Sequence, residues 1–280
     1  MELVTIAIPV YNGEAYLRDA IRSVINQTFT SWVLYLIDDG STDNSLAIMR
    51  EAEAKDRRIK VLSDGVNRGL IARLNESVAI TTTKYYARMD ADDIMYITRL
   101  EEQVQLLESR PEIDVVGTSI MTIDNRNRII GSDLHQGIVE RFIHPSIMGR
   151  SEWFKNNPYT DWAVRAEDYE LWCRTAAHSN FWAIGKPLLF YREFGVASYK
   201  KTMATLRTIL RIAARYKSYH RTLWWATKLS LLTIAKMCAY TLCAAVGSND
   251  FIVRHRRRRV IPADKQLTIN DLIISITDNE

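Results

Sequence analysis

Three times in its first 93 residues the chain repeats one pattern: a short run of β-branched and aromatic residues, an abrupt polar edge, then a helical periodicity. The first run is Val4-Thr5-Ile6-Ala7-Ile8-Pro9-Val10-Tyr11-Asn12, with a helix pattern starting near Glu14. The second, Trp32 to Ile37, runs into Asp38-Asp39-Gly40-Ser41-Thr42-Asp43, and the third, Lys84 to Met89, stops at Asp90-Ala91-Asp92-Asp93. Strands that alternate with helices predict an α/β fold, with a mostly parallel central sheet flanked by helices. Open sheets of this kind keep their ligands beyond the carboxyl ends of the strands, where all three polar edges would fall.

The acidic edge has two readings. In extended backbone Asp90 and Asp92 point the same way and could share one divalent cation, which would also relieve the repulsion among three acids. Alternatively the cluster is a turn before a helix, with Asp93 near the N-cap. Further helices are expected near 14–27, 43–55, 69–80, 96–109 and 167–177, and strands near 59–62, 113–117 and 181–191. Residues 119–132 read as a hairpin turning at Asp124-Asn125-Arg126-Asn127, and His144-Pro145-Ser146 as a strand edge. With 280 residues, 47% of them hydrophobic, the chain can bury a sizeable core. Cys173, Cys238 and Cys243 match no zinc or redox spacing, which predicts a reducing compartment; no basic, apolar leader precedes the first strand, so no secretory signal is expected.

Charge is distributed unevenly. Residues 1–200 carry a net −5, residues 201–261 carry +12, and the tail 262–280 carries −3. The basic segment is also the most apolar: Leu223 to Val246 reads LWWATKLSLLTIAKMCAYTLCAAV, broken only by Lys228 and Lys236. A lysine near a bilayer centre costs on the order of 3 kcal/mol, so two of them argue against a plain span and for a helix lying in the interface. Trp224, Trp225 and the Arg-His-Arg-Arg-Arg-Arg of residues 254–259 suit an anionic membrane surface. The competing readings are a packed helical hairpin or a homo-oligomer contact. Nucleic acid is not expected, because the aromatic residues are bunched in the apolar helix instead of alternating with the basic cluster.

Taken together, Pro9-Val10-Tyr11-Asn12, Ser23-Val24-Ile25-Asn26-Gln27-Thr28-Phe29, Ile37-Asp38-Asp39-Gly40-Ser41-Thr42-Asp43, Asn67-Arg68-Gly69, Asp90-Ala91-Asp92-Asp93 and Glu167-Asp168-Tyr169-Glu170-Leu171-Trp172 resemble the inverting family-2 glycosyltransferases of GT-A fold. The resemblance covers residues 3 to 200, and implies a catalytic domain over 1–200 with donor binding in its first half and acceptor binding in its second. Residues 201–261 would form a basic, amphipathic helical extension that associates with a membrane. The donor implied is a nucleotide sugar, with Pro9, Tyr11 and Asp39 at the base and Asn12 and Glu14 beside them. Asn67, Arg68 and Gly69 would meet its anionic part, and Arg73 and Arg88 would balance charge beside Asp90. Asp90, Ala91 and Asp92 would contact the diphosphate, with Asp92 and Asp90 holding Mn²⁺ or Mg²⁺ as the electrophile for the leaving group.

The resemblance places the general base at Asp168, with Glu167 and Trp172 toward the acceptor; as plain sequence, the two acids could equally serve the helix N-terminus and Trp172 the core. The basic extension points to a lipid-linked glycan acceptor, the expected location being the cytoplasmic face of the inner membrane. One departure stands out: where many members carry a His shortly after a Tyr-Arg pair, Tyr191-Arg192 is followed by Glu193-Phe194-Gly195. The other classes considered are a nucleotidyltransferase, which should carry a Gly-rich basic loop where this chain has Tyr11-Asn12-Gly13-Glu14, and a nucleotide-sugar-binding scaffold without turnover.

Overall fold

The computed structural model describes residues 2–193, 198–216 and 223–245. In chain order the elements are β1 (Val4–Val10), α1 (Leu17–Ile25), β2 (Trp32–Asp38), α2 (Ser45–Lys55), β3 (Ile59–Leu62), α3 (Leu70–Ala79), β4 (Tyr85–Arg88), β5 (Ile94–Met95), α4 (Arg99–Ser109), β6 (Val115–Ile123), β7 (Ile129–Asp133), β8 (Gly137–Ile138), β9 (Met148–Arg150), α5 (Ser151–Asn156), α6 (Glu167–Thr175), β10 (Phe181–Arg192), α7 (Tyr199–Arg215) and α8 (Leu223–Ala245). They divide into two compact units. One runs to Pro158 and resumes over Ser179–Glu193; the other comprises Tyr159–His178 and the described residues from 198 onward. This partition differs from a boundary at residue 200, since the segment carrying α6 groups with α7 and α8.

All ten strands lie in the first unit, in the order β3-β2-β1-β4-β9-β6-β10-β5, with β7 on β6 and β8 on β10. Strands β3, β2, β1 and β4 are mutually parallel. Beyond them β9 runs antiparallel to both β4 and β6, while β6 and β10 again pair in parallel, so the sheet is mixed. The reason is local: β1 to β4 are joined through helices, whereas β6 and β7 form the hairpin expected from Asp124-Asn127, pairing Ile123 with Ile129. Ile6, Ile8, Leu34, Leu36 and Ala87 are fully buried, as parallel strands covered on both faces require.

Polar residues in this core carry defined hydrogen bonds. Ser23 Oγ accepts the Met95 amide (3.0 Å), while Gln27 accepts the Leu100 amide (3.0 Å) and donates to the Tyr96 carbonyl (2.9 Å). On α4, the buried Arg99 donates to Gln103 Oε1 (3.0 Å) and to the carbonyls of Arg88 (3.0 Å) and Ile147 (3.2 Å). Gln103 in turn donates to Val116 (3.2 Å) and Ser146 (2.9 Å). These bonds fasten the end of β4 to β6 and to the turn before β9.

Two expectations are corrected. His144–Ser146 is a 3₁₀ turn and not a strand edge, which lets the Ser146 carbonyl reach Gln103. Asp93 does not cap a helix: β5 follows it, and Thr98 stands at the N-cap of α4.

In the second unit, Ala166, Cys173, Ile212 and Tyr216 form a small core with Trp162, Tyr169, Ile209 and Trp225 packed against it. Glu170, fully buried on α6, accepts hydrogen bonds from Arg174 Nε (2.9 Å) and from the Tyr216 hydroxyl at the end of α7. Among the described residues no helix is long and apolar enough to cross a membrane.

Replacing Gln103 by Leu leaves two buried carbonyls and the Arg99 Nε–H without their partner. The expected outcome is a loss of about 2–4 kcal/mol in unfolding free energy, read from the urea midpoint at unchanged m-value. An unchanged midpoint would mean that these bonds do not hold the two halves of the sheet.

Candidate functional site

The carboxyl ends of β1, β2 and β4 converge because the three strands are neighbours, with Pro9 opposite Ile37 and Val10 opposite Asp38. Two loops close over this edge. Asn12 adopts a left-handed conformation, φ 52°, donates its amide to Ser41 Oγ (3.1 Å) and accepts the Thr42 amide on Oδ1 (2.8 Å). Glu14 accepts both the backbone (2.9 Å) and side-chain (2.8 Å) N–H groups of Asn44. Asn12 and Glu14 thus shape the edge by satisfying loop amides, while Tyr11 stays 55% exposed there and can offer a ring face.

Asp38 and Asp39 are both buried, but they do different things. Asp38 accepts the Ser41 amide (3.0 Å) and the Ser63 hydroxyl (2.8 Å). Asp39 reaches across to the third loop and accepts the amides of Arg68 (2.7 Å) and Gly69 (3.1 Å) together with Arg73 Nε (3.0 Å). The backbone permits this because Gly69 sits at φ 84°, where a side chain would be strained. A Cβ on Gly40, φ 72°, would meet the Asn67 amide nitrogen at 2.7 Å, so the edge after β2 and the loop between β3 and α3 touch backbone to backbone.

Arg73 does not balance Asp90. Its guanidinium is buried and spent on Asp39, Asp64 (2.6 Å), Glu76 (2.8 Å) and the Val66 carbonyl (2.5 Å), which makes it a positioning residue for the Asn67-Arg68-Gly69 loop. Bonding to Arg73 holds the Asp64 carboxyl well below the usual carboxylate range. Arg68 remains on the surface, its Nε paired with Asp64 (2.7 Å), and the Arg68 and Gly69 amides face Asp39 instead of standing open to an anion.

At the end of β4 the chain turns through Asp90-Ala91-Asp92-Asp93, the Asp93 amide approaching the Asp90 carbonyl at 3.4 Å. One carboxylate oxygen from each of Asp90, Asp92 and Asp93 lies within 4.8 Å of the other two. Arg88 stands beside Asp90, with Nη1 at 3.1 Å from Oδ2. Burial, reinforced by Asp90, pushes the Asp92 carboxyl up to about 6. Burial, with the two neighbouring acids, raises the Asp93 carboxyl well above the usual carboxylate range. Asp93 is fully buried; Oδ1 accepts the Arg192 amide (2.8 Å), and Oδ2 receives no hydrogen bond among the described residues. Three close oxygens, short of cationic charge and with one lone buried acceptor, fit a hard divalent cation.

In the second unit, Glu167 and Asp168 open α6, and Asp168 is part-exposed with Oδ1 accepting the Tyr169 amide (2.7 Å). Trp172 is 1% exposed, so it belongs to a core and is not a platform for an acceptor sugar. Glu167 is likewise buried.

Residues 5–168 match the model of the family described as Glycosyl transferase family 2. The chain belongs to this family. EpsE of Bacillus subtilis is 35% identical over 182 residues, 61% of this chain and 66% of that protein. WfgD of Escherichia coli, named a UDP-Glc:alpha-D-GlcNAc-diphosphoundecaprenol beta-1,3-glucosyltransferase, is 28% identical over 197 residues, 65% of this chain and 73% of WfgD. The crystal structure of S. aureus TarS in complex with UDP superposes with a TM-score of 0.65 at 16% identity, covering 84% of this chain and 71% of that one, which establishes the GT-A fold. The chain spans about two thirds of the length of EpsE.

The candidate site contains two residues that sequence reasoning did not assign to it. Asp93, a cap in the alternative reading of the acidic edge, is the third acid of the cluster. Arg192, noted only as half of the Tyr-Arg pair, donates to the Asp92 carbonyl (2.8 Å), the Asp124 carbonyl (2.7 Å) and Asn127 Oδ1 (2.7 Å), and lies 4.2 Å over the Tyr16 ring. An arginine ending a long apolar strand was the available signal. Glu193, at the position after the pair, donates its amide to the Ile123 carbonyl (2.9 Å), and Phe194 and Gly195 lie outside the described residues.

The raised Asp92 carboxyl fixes the sign of a pH effect. Its folded value of about 6 lies above its ordinary 3.8, so its contribution to stability is complete below 3.8 and lost as pH rises through 6. With divalent ions chelated, Asp92→Asn should therefore be more stable than the parent at pH 7.5 by roughly 1–2 kcal/mol, after allowance for water screening. The gap should close as pH falls towards 4, and thermal melts of both proteins across this range would reveal it.

Proposed function

We propose that this protein is a metal-dependent, inverting glycosyltransferase that moves a sugar from a UDP-sugar to a polyprenyl-diphosphate-linked glycan at the cytoplasmic face of the inner membrane, in surface polysaccharide synthesis. The observation that carries the reading is the cluster of Asp90, Asp92 and Asp93 on the same sheet edge as Asp39 and Tyr11. WfgD supports the donor and acceptor classes, its name giving UDP-glucose and a diphosphoundecaprenol-linked sugar.

Tyr11 stacks on the base, and Asp39, through its remaining acceptor capacity, reads the base edge. The Asn67-Arg68-Gly69 loop, held by Asp39 and Arg73, walls the nucleotide, and Arg68 offers its exposed guanidinium to the anionic part of the donor. Asp92, Asp90 and Asp93 would hold Mn²⁺ or Mg²⁺, which when bound supplies a Lewis acid for the charge growing on the departing diphosphate. Arg192 anchors the acidic turn through the Asp92 carbonyl and the Asp93 carboxylate, so that its oxygens keep their spacing. Asp168 acts as the general base, taking the proton from the acceptor hydroxyl as that oxygen attacks the anomeric carbon from the face opposite the nucleotide. The Tyr169 amide bonds Asp168 Oδ1 and so helps to hold the carboxylate in place at the head of α6.

Two variants separate these roles. Asp92→Ala should abolish transfer and remove most Mn²⁺-dependent UDP affinity in calorimetry; an unchanged affinity would refute the metal assignment. Asp168→Asn should keep donor affinity and lose turnover by roughly 10²-fold or more. Near-normal turnover would leave Asp168 as a residue of the helix N-terminus. A panel of nucleotide sugars tested for Mn²⁺-dependent hydrolysis identifies the donor and distinguishes an enzyme from a binding scaffold.

A further inference from the structure

Helix α8 is apolar nearly all round, yet only one of its faces is covered. Ala226 and Thr233 are buried, with Leu229, Met237 and Tyr240 half-buried along the same side, and α7 packs on this helix. The opposite side presents Trp224, Leu231, Ala235, Cys238 and Leu242, spaced seven, four, three and four residues apart, so they form one stripe. Trp224 and Leu242 are 68% exposed and Leu231 63%, flanked by Leu232 at 53% and Ile234 at 48%. A stripe of this size is far more apolar surface than scattered single residues would leave.

Helix α7 is patterned differently. Its exposed side carries Lys200, Arg207, Arg211 and Arg215, again on helical spacing, while Met203, Leu206, Ile212 and Ala213 turn inward. Lys201 is exposed as well, and Arg215 lies 5.3 Å over the Trp162 ring. The residues described in α7 and α8 include no Asp or Glu, whereas Lys200, Lys201, Arg207, Arg211, Arg215, Lys228 and Lys236 are all positive. Lys228 sits within the apolar stripe, its Nζ 4.8 Å from the centre of the Trp224 ring, with an alkyl stem long enough to bring the ammonium to a polar boundary.

We infer that the α7–α8 hairpin is a monotopic docking surface for an anionic lipid bilayer, with the Trp224–Leu231–Leu242 side of α8 lying in the interface and the α7 cations serving lipid headgroups. The occupant follows from charge. A second copy of the same face would bring Lys228 and Lys236 against their own kind with no acid to answer them, and like charges in a drying interface are costly. An anionic membrane offers apolar depth and negative charge together. At 23 residues the helix is about 35 Å long, and no described helix is apolar enough to cross a bilayer, so α8 lies along the surface. This surface accords with a lipid-linked acceptor but does not rest on the glycosyltransferase reading, since vesicle binding is scored without donor or acceptor.

The test is co-sedimentation of the full-length protein with vesicles of phosphatidylcholine alone or mixed with phosphatidylglycerol. Binding is expected to favour the mixed vesicles, to weaken as salt shortens the Debye length below about 8 Å, and to retain a salt-resistant part. Arg207→Gln with Arg211→Gln should lower the partition coefficient roughly 30-fold at low salt and leave the salt-resistant part intact. Leu231→Ser with Leu242→Ser should lower it by at least about 100-fold and remove the salt-resistant part. Circular dichroism and thermal melts show that each variant is folded. Full-length protein that stays in solution with phosphatidylglycerol vesicles at low salt overturns the proposal. So does a lipid-free dimer, seen by analytical ultracentrifugation, that the two serine substitutions dissolve, because a second copy would then own the stripe.

Discussion

The ion pair between Asp39 and Arg73 is the contact on which the sheet edge beyond β1 and β2 depends. Both side chains are buried, and removing one partner of such a pair typically costs about 3–5 kcal/mol. Around it the geometry is over-determined: Asp39 also takes the Arg68 and Gly69 amides, and Arg73 also takes Asp64, Glu76 and the Val66 carbonyl. Loops that carry function are usually the least stable parts of a fold, and here buried charge fixes one. The Asp39 carboxylate is consequently both a structural keystone and a candidate ligand, so its substitution would confound recognition with collapse of the loop.

The acidic turn is built on the opposite logic. Asp92 and Asp93 are taken out of water beside other acids, and their carboxyls rise in consequence. Arg88 and Arg192 stand close, but Arg88 is directed to Asp90 and Arg192 gives its guanidinium to carbonyls and Asn127. One edge is thus satisfied within the protein and the other is short of a cation. A ligand that brings a metal to the second while its base reaches the first would meet both.

Much of the first unit was legible because its signals are local. Strands of β-branched residues, helices between them and the hairpin at Asp124-Asn127 follow from spacing and turn chemistry, and β3 fell on residues 59–62 as expected. What escaped depends on contacts distant in sequence. The role of Gln103 needs Val116 and Ser146, Arg192 needs an acidic turn a hundred residues earlier, and the misplacement of Arg73 beside Asp90 came from not seeing that Asp39 and Asp64 would claim it. The Ser23 to Phe29 segment counted towards the family resemblance, yet Ser23 and Gln27 are structural: they bind the backbone around β5 and the start of α4. Trp172 was ambiguous on the helix face and is resolved by burial alone.

The second unit has a consequence for how the chain is made. Helix α6 emerges from the ribosome before β10 is complete, but Glu170 finds Tyr216 across 46 residues, and Cys173 shares its core with Ile212. Until α7 follows, Glu170 has only Arg174 of its own helix and lacks Tyr216, and its apolar neighbours lack Ile212, while the strands on either side can already pair. Synthesis therefore passes through a stage in which the sheet outruns the helix bearing Asp168, a non-local debt that grows with every residue between them. The C-terminal helices are the completion of an earlier element, and a chain ended at residue 200 would leave α6 as an orphan of translation.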